Sequence, residues 1–338
     1  MAKVNRQITL ASRPVGIPAV SNFHLVYSPM PSPAEDEVLV RSLYLSLDPD
    51  IRGRMGDAES STVAPLAIGE VIAGGAVGFV VQSNDANFRP GDAVEGMLGW
   101  QEYGVVRGRD LRKLDPGIAP ISTALGVLGV PGLTAFFGLL EICDPQPGET
   151  VVISGAEGAV GMLVGQLAKI MGCRAVGVAG SGARISWLLD ELGFDAALSY
   201  EMGGGFESRL RELCPDGIDI YFDNVGGTIT DEVMRQINTG ARISVCGQVS
   251  QDNLEQPELG PRWLNELIAK QAKMQGFLIS GFAERFPAAC EKLAGWLKQG
   301  KLKYREEVAQ GIEAAPQAFI AMLQGKNEGK LLVQLAES

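Results

Sequence analysis

The amino-acid sequence predicts a two-domain α/β protein, in which a mostly antiparallel β domain precedes a doubly wound domain with a parallel sheet. Three observations carry that expectation. The chain of 338 residues exceeds what one hydrophobic core holds, about 250 residues. From about residue 4 to residue 106 the apolar residues come in short strand-like runs separated by turn signals. From Val151 onward, apolar strands alternate with segments at helical spacing, the pattern of βαβ units.

In the first half the strand-like runs include Val38-Leu39-Val40, Val77 to Val81 and Tyr103-Gly104-Val105-Val106, with Arg89-Pro90-Gly91-Asp92 as a turn. In the second half the expected strands are Val151 to Ile153, Ala175 to Val178, Ile218 to Phe222 and Ile243 to Val245. Val160, Leu163, Val164, Leu167 and Met171 form one helical stripe that stops at Gly172. Ile185, Leu188, Leu189 and Leu192 form the next, with Gly193 placed to cap it. Thr228 is expected to N-cap a third helix and Gly240 to close it, and Gly203-Gly204-Gly205 reads as a flexible loop without chemistry. Pro287 to Gly300 and Pro316 to Gly325 read as helices, followed by the strand Leu331 to Val333.

A composition of 46% apolar and 20% charged residues is that of a soluble globular protein. A net charge of -11 and a pI near 4.8 repel phosphate backbones and anionic lipid, which disfavours nucleic-acid and membrane partners. Cys143, Cys173, Cys214, Cys246 and Cys290 are odd in number and widely spaced. They read as buried small hydrophobes of a reducing compartment rather than a disulfide framework. The opening segment lacks an apolar signal region, and no apolar run approaches the about 20 residues of a membrane span, so the expected location is the cytoplasm.

Residues Val151 to Gly161 run strand, tight turn, helix start, the context that a dinucleotide fingerprint requires. In Ala156-Glu157-Gly158-Ala159-Val160-Gly161, Gly158 removes a side chain where a pyrophosphate must approach the backbone. Gly161 lets the helix lie close against its strand. The helix start at Ala159 and Val160 offers N–H groups and a positive dipole end to phosphate. Ala156 stands where the standard G-x-G-x-x-G has its first glycine.

An enzyme that uses NAD places an acid about 20 residues on, at the end of the second strand, to bind the ribose. This chain has Val178-Ala179-Gly180-Ser181-Gly182-Ala183-Arg184 there. A hydroxyl at Ser181 and a guanidinium at Arg184 suit a 2′-phosphate, which points to NADP(H), although an arginine here is also compatible with plain solvent exposure. His24 is the only histidine, read as a structural residue of a strand, and no cluster of Cys or His ligands is spaced for zinc. Gly295 to Lys301 mimics a P-loop but ends a helix and has Leu302 where Ser or Thr is needed.

Taken together, these segments resemble the zinc-independent medium-chain dehydrogenase/reductases, in the leukotriene dehydrogenase/prostaglandin reductase branch that includes curcumin and alkenal double-bond reductases. The likeness runs through Leu45-Ser46-Leu47-Asp48-Pro49, Val130 to Leu140, the Ala156 to Gly161 turn with Gly165 to Lys169, Tyr221 to Gly227, Cys246-Gly247 and Gly325 to Lys330. The resemblance implies a GroES-like catalytic domain of residues 1–128 and 305–338, a Rossmann domain of residues 129–304, and an active site in the cleft between them. It implies cofactor contacts from Pro131, Thr134, Arg184, Tyr200, Asn224, Cys246, Gly247, Ser250, Phe277, Ile279 and Asn327. Phe277 and Asn327 have core and turn readings of comparable weight.

Two positions depart from the family pattern. Asp50 and Asp252 stand where the family carries pocket tyrosines, with Arg52 beside the first. The second tyrosine is the one credited with polarising the substrate carbonyl or relaying a proton. A carboxylate replaces a phenol only when protonated, which burial favours by raising its pKa. The resemblance implies hydride transfer from NADPH to the β-carbon of an α,β-unsaturated ketone or aldehyde, then protonation of the enolate, in a homodimer. The other readings are an NADPH:quinone reductase and a non-enzymatic NADP(H)-binding sensor or structural protein.

Overall fold

Short apolar runs and their turns build the first half as antiparallel strands. The computed structural model describes residues 4–56, 64–202, 205–254, 256 and 258–336. Gly203 and Gly204 of the expected flexible loop lie outside the described residues. The chain divides into two units, one of residues 1–126 with 306–338 and the other of residues 127–305.

The first unit begins with β1 (Val4–Leu10), β2 (Phe23–Pro29), β3 (Glu37–Ser46), β4 (Ala76–Ser83), β5 (Ala93–Gly96), β6 (Tyr103–Arg107) and β7 (Leu111–Lys113), with the short helix α1 (Asp50–Arg54) after β3. β1 and β2 form an antiparallel pair, and β3 pairs antiparallel with both β4 and β6. Val38, Val40 and Leu45 of β3 are fully buried, as a central strand covered on both faces requires. His24 lies on β2 with its side chain exposed, so its part in the strand is carried by the backbone, whose carbonyl accepts from Thr9 Oγ1 at 3.4 Å.

The second unit holds α2 (Val130–Phe136), β8 (Thr150–Ser154), α3 (Gly161–Ile170), β9 (Arg174–Ala179), α4 (Gly182–Asp190), β10 (Ala196–Ser199), α5 (Phe206–Leu213), β11 (Ile218–Asp223), α6 (Gly227–Met234), β12 (Ile237–Val245), α7 (Leu264–Ala269), β13 (Lys273–Gly276) and α8 (Phe286–Lys298). Its sheet runs β10-β9-β8-β11-β12-β13, with every pairing parallel. Val151, Val152 and Ile153 are all fully buried, because helices cover both faces of such a sheet. The strand order reverses between β8 and β11, and in this architecture ligands bind at the carboxyl ends of strands beside that switch.

The chain then returns to the first unit with β14 (Glu306–Gln310), α9 (Ala315–Leu323) and β15 (Lys330–Gln334). β15 pairs antiparallel with β3, Leu332 opposite Ser46, and carries β14 parallel on its other side. Phe319 of α9 packs edge-on against Trp100 with ring centroids 5.5 Å apart, which joins this segment to the core of the early strands. Lys330, 2% exposed, donates to the Leu47 carbonyl at 2.9 Å and to Asp48 Oδ1 at 2.5 Å.

The structure corrects two helix-end expectations. Thr228 lies inside α6, and Gly226 at φ +75° is the N-cap. Asp223 Oδ1 fixes the approach to the helix, accepting the N–H groups of Val225 at 3.1 Å and of the N-cap Gly226 at 2.8 Å. Gly240 does not close a helix, because α6 already ends at Met234. It sits at φ +80° within β12, where the register against β11 slips between Ile237 and Arg242, so it marks a bulge. Gly193 does take the expected left-handed cap, at φ +72°, with Phe194 N–H bonding the Leu188 carbonyl at 3.1 Å.

Asp223 ties the carboxyl end of the sheet together. Its Oδ1 also accepts from Ser154 Oγ at 3.2 Å and Tyr221 Oη at 3.0 Å, and its Oδ2 from Thr230 Oγ1 at 2.8 Å and Gln248 Nε2 at 3.1 Å. Removing a buried acceptor strands its donors, so Asp223→Ala should lower the stability of the second unit by about 3–5 kcal/mol. Urea unfolding followed by tryptophan fluorescence measures this; a loss under about 1 kcal/mol contradicts the assigned role.

Candidate active site

The turn between β8 and α3 is built by glycine in three different ways. Gly155, at φ +59°, makes the sharp bend that leaves the strand. Ala156 can therefore occupy the first-glycine position: it is fully buried, and its N–H bonds the Val178 carbonyl at 3.0 Å. At Gly161 a Cβ would lie 2.2 Å from the Gly155 carbonyl oxygen, so only glycine lets α3 start so close to its strand. At Gly158 a Cβ would meet nothing nearer than the Gly155 oxygen at 3.3 Å. Packing alone does not demand glycine there, whereas a phosphate laid against the backbone does. Ala159 and Val160 lead into α3, where Met162 N–H bonds the Gly158 carbonyl at 3.1 Å and Leu163 N–H the Val160 carbonyl at 3.0 Å, so the helix start presents its positive dipole end to a phosphate. These residues fit a dinucleotide pyrophosphate.

The end of β9 collects the next group. Ser181 is the N-cap of α4, and Arg184 lies in its first turn with 13% of its side chain exposed. Arg184 Nη1 is 3.2 Å from Glu157 Oε1, and that same oxygen accepts the N–H of Gly180 at 2.9 Å. Tyr200, 44% exposed, brings its hydroxyl to the same place: a Cβ on Gly180 would stand 3.0 Å from both Tyr200 Oη and Arg184 Nη1. Desolvation, then the carboxylates of Glu157 and Glu201, push the Tyr200 phenol above its usual pKa. Arg184 thus occurs in the partly buried, paired setting rather than as a solvated helix residue. Sequence reasoning missed Glu157, whose only signal was a lone acid set among small residues inside the glycine turn.

Further along the same sheet edge, Asn224 ends β11 with Nδ2 donating to the Ser154 carbonyl at 2.8 Å and its own N–H donating to Ser154 Oγ at 3.0 Å. Cys246 and Gly247 leave β12 with their N–H groups on the Asp223 carbonyl at 2.8 and 3.1 Å. A Cβ on Gly247 would lie 3.0 Å from the Asn224 carbonyl oxygen, so the two loops run in close approach. Ser250 N–H bonds the Val225 carbonyl at 3.0 Å. Phe277 follows β13, its ring 2.5 Å from where a Cβ on Gly138 would stand, and Ile279 opens the next helical turn. Pro131 is buried at the start of α2, and Thr134 Oγ1 donates back to the Val130 carbonyl at 2.7 Å.

Asp50, Arg52 and Asn327 belong to the first unit. Arg52 is 9% exposed and donates through Nε and Nη2 to the Gly16 carbonyl at 3.2 and 2.9 Å, which gives it an architectural task. Asn327 Nδ2 donates to the Gly329 carbonyl at 3.0 Å, a turn contact. Asp50 lies 3.6 Å from Arg54 Nε. Desolvation first and Asp48 second push its carboxyl above the usual range, against Arg54 and Lys330, and with 64% of its side chain open to water solvent screens much of that. Asp252 is exposed in the loop after β12. Neither aspartate has the deep burial that would make a carboxyl stand in for a phenol.

Comparison with known proteins places these features in a family. One family model, described as the N-terminal domain of oxidoreductase, matches residues 6–114, and another, described as zinc-binding dehydrogenase, matches residues 159–295. An NADPH-dependent curcumin reductase of Escherichia coli is 45% identical over 337 residues, covering 98% of this chain and 97% of the relative. A 2-alkenal reductase (NADP(+)-dependent) of Nicotiana tabacum is 41% identical, covering 98% of each. The crystal structure of CurA in complex with NADPH from Vibrio vulnificus superposes with a TM-score of 0.93 at 46% identity, covering 98% of this chain and 100% of that one. The chain belongs to the zinc-independent medium-chain dehydrogenase/reductases, in their double-bond reductase branch.

Within that family the second model's name refers to zinc, yet this member has one histidine in its whole sequence. Among the described residues no three His, Cys, Asp or Glu side chains are grouped to hold a metal ion. Its five cysteines are free thiols, and burial pushes Cys143, Cys214 and Cys246 up to about 12 and Cys173 to about 11. Such thiols stay protonated near neutrality and do not serve as nucleophiles.

Gly161 and Gly158 separate the fold from the site. Gly161→Ala should cost about 1–3 kcal/mol of stability through the clash with Gly155. Gly158→Ala should unfold within about 0.5 kcal/mol of wild type yet bind NADPH at least about tenfold more weakly. Thermal unfolding and NADPH fluorescence titration measure both; an unweakened Gly158→Ala removes the cradle assignment.

Proposed function

We propose that this protein uses NADPH to reduce the carbon-carbon double bond of α,β-unsaturated ketones and aldehydes. The observation that carries the reading is full-length likeness to double-bond reductases, joined to an Arg184, Ser181 and Tyr200 cluster at the end of β9. The cofactor is NADP(H). Gly158 and the start of α3 receive its pyrophosphate, Arg184 and Ser181 its 2′-phosphate, and Asn224 with the Cys246 to Ser250 loop its remaining length. When bound, NADPH supplies the hydride, which goes to the β-carbon of the enone. The α-carbon then takes a proton from water, since neither Asp50 nor Asp252 is sequestered enough to be a fixed neutral acid. The chain contributes orientation and donors rather than a metal, which suits a reaction whose barrier falls mainly by alignment.

The test is consumption of NADPH with an enone panel that includes a long-chain aliphatic enone and an aromatic dienone, with saturated ketone as the product. Turnover of enones at least about tenfold above quinones in kcat/KM is the expected outcome. Faster turnover of quinones, or no oxidation with any enone, overturns the reading.

We further propose a cytoplasmic homodimer. Among the described residues no helix is long and apolar enough to cross a membrane. β13 is one of the two edges of the parallel sheet, and Leu264, Ile268, Met274 and Leu278 around it are 68%, 75%, 40% and 61% exposed. An open edge with apolar flanks is a template for pairing with a second copy. Sedimentation should give twice the 35.9 kDa of one chain, and Leu264→Glu with Ile268→Glu should give the monomer; a wild-type monomer at micromolar concentration rejects this.

A further inference from the structure

No acid stands at the end of β9 in the sequence, yet the structure brings one there from another part of the chain. Glu157, in the turn after β8, is only 8% exposed and reaches Gly180, the first residue beyond β9, accepting its N–H on Oε1 at 2.9 Å. The other oxygen, Oε2, is buried without a hydrogen-bond partner among the described residues. A Cβ on Gly180 would stand 3.0 Å from Arg184 Nη1, 3.0 Å from Tyr200 Oη and 3.4 Å from Glu157 Oε1, so three side-chain tips meet over the glycine. A side chain at residue 180 would crowd all three. The carboxylate that other dinucleotide folds take from the second strand is supplied here by the turn.

We propose that Glu157 is a specificity-determining residue that sets the choice between NADPH and NADH. The inference rests on the placement of the adenosine ribose beside Arg184 proposed above. Toward a 2′-phosphate, Glu157 acts as a like charge and compensates the guanidinium that the phosphate needs, at 3.2 Å. Toward a 2′-hydroxyl it acts as an acceptor, and Oε2 is an oxygen that a donor would satisfy. Cation and anion therefore share one ribose position. The site accepts both cofactors, with less preference for phosphate than Arg184, Ser181 and Tyr200 would give without Glu157.

The experiment is calorimetric titration of the wild type, Glu157→Gln, Glu157→Asp and Arg184→Gln with adenosine 2′,5′-bisphosphate and with 5′-AMP, with thermal melts to show that each variant is folded. Glu157→Gln keeps an oxygen for Gly180 and removes the charge. It should raise the affinity ratio of bisphosphate to 5′-AMP by about tenfold, and the NADPH to NADH ratio of kcat/KM in parallel. Glu157→Asp should leave the ratio near wild type, and Arg184→Gln should lower it. A ratio unchanged or lowered in Glu157→Gln, with Arg184→Gln still lowering it, overturns the role of Glu157 alone. A ratio unchanged in Arg184→Gln overturns the ribose placement and this inference with it.

Discussion

The second unit is organised around one buried carboxylate. Asp223 is 1% exposed and gathers donors from β8, from its own strand, from the start of α6 and from the loop after β12. A carboxyl group so deeply buried is tolerable because its oxygens are met by several hydrogen-bond donors. Ser154 donates to it and in turn accepts the N–H of Asn224, so the ends of β8 and β11 are locked at one height. The Asp223 carbonyl holds Cys246 and Gly247. The loops at the carboxyl ends of β8, β11 and β12 thus share a single fixed point. Tyr221, fully buried beside Asp223, has its phenol pushed well above its usual range, by desolvation first and by that carboxylate second, so it serves the network as a neutral donor.

The fold was legible where side-chain burial alone decides it. Val151 to Ile153 is apolar because both sheet faces are covered, and Leu163, Val164 and Leu167 recur because one helix face packs on that sheet. What the sequence could not show is where a polar side chain ends up. Thr228 looked like a cap, but Asp223 fixes the Val225 and Gly226 amides ahead of it, and the helix already starts at Gly227. Gly240 looked like a helix stop, but the strand begins before it and bulges around it.

The same limit applies at the site. Gly158 and Gly161 could be singled out from spacing, because a phosphate-binding turn constrains its backbone, and Ser181 and Arg184 from their residue types at the strand end. Glu157 could not, because its position in the turn says nothing about which strand its carboxylate reaches. Asp50 and Asp252 were readable as departures from a family pattern, but their exposure was not, and exposure decides whether a carboxyl can stay neutral. Arg52, named beside Asp50 as a pocket residue, spends its guanidinium on the Gly16 carbonyl.

The pairing of β15 with β3 has a consequence for how the chain acquires its structure. Ser46 meets Leu332 across the sheet, so the central strand of the first unit lacks one neighbour until nearly the whole chain is available. During synthesis, residues 127–305 emerge before residues 306–338 and are continuous, and they hold a core cluster of their own. The second unit can therefore fold as an insertion while the first waits with only the Tyr44 to Ser46 end of β3 unpaired on the edge where β6 already covers Glu37 to Arg41. Closing so long a connection costs little more than closing a short one, because the entropy grows only with the logarithm of its length. A pre-folded insert shortens it further. The topology thus lets residues 127–305 complete their core before the first unit completes its sheet.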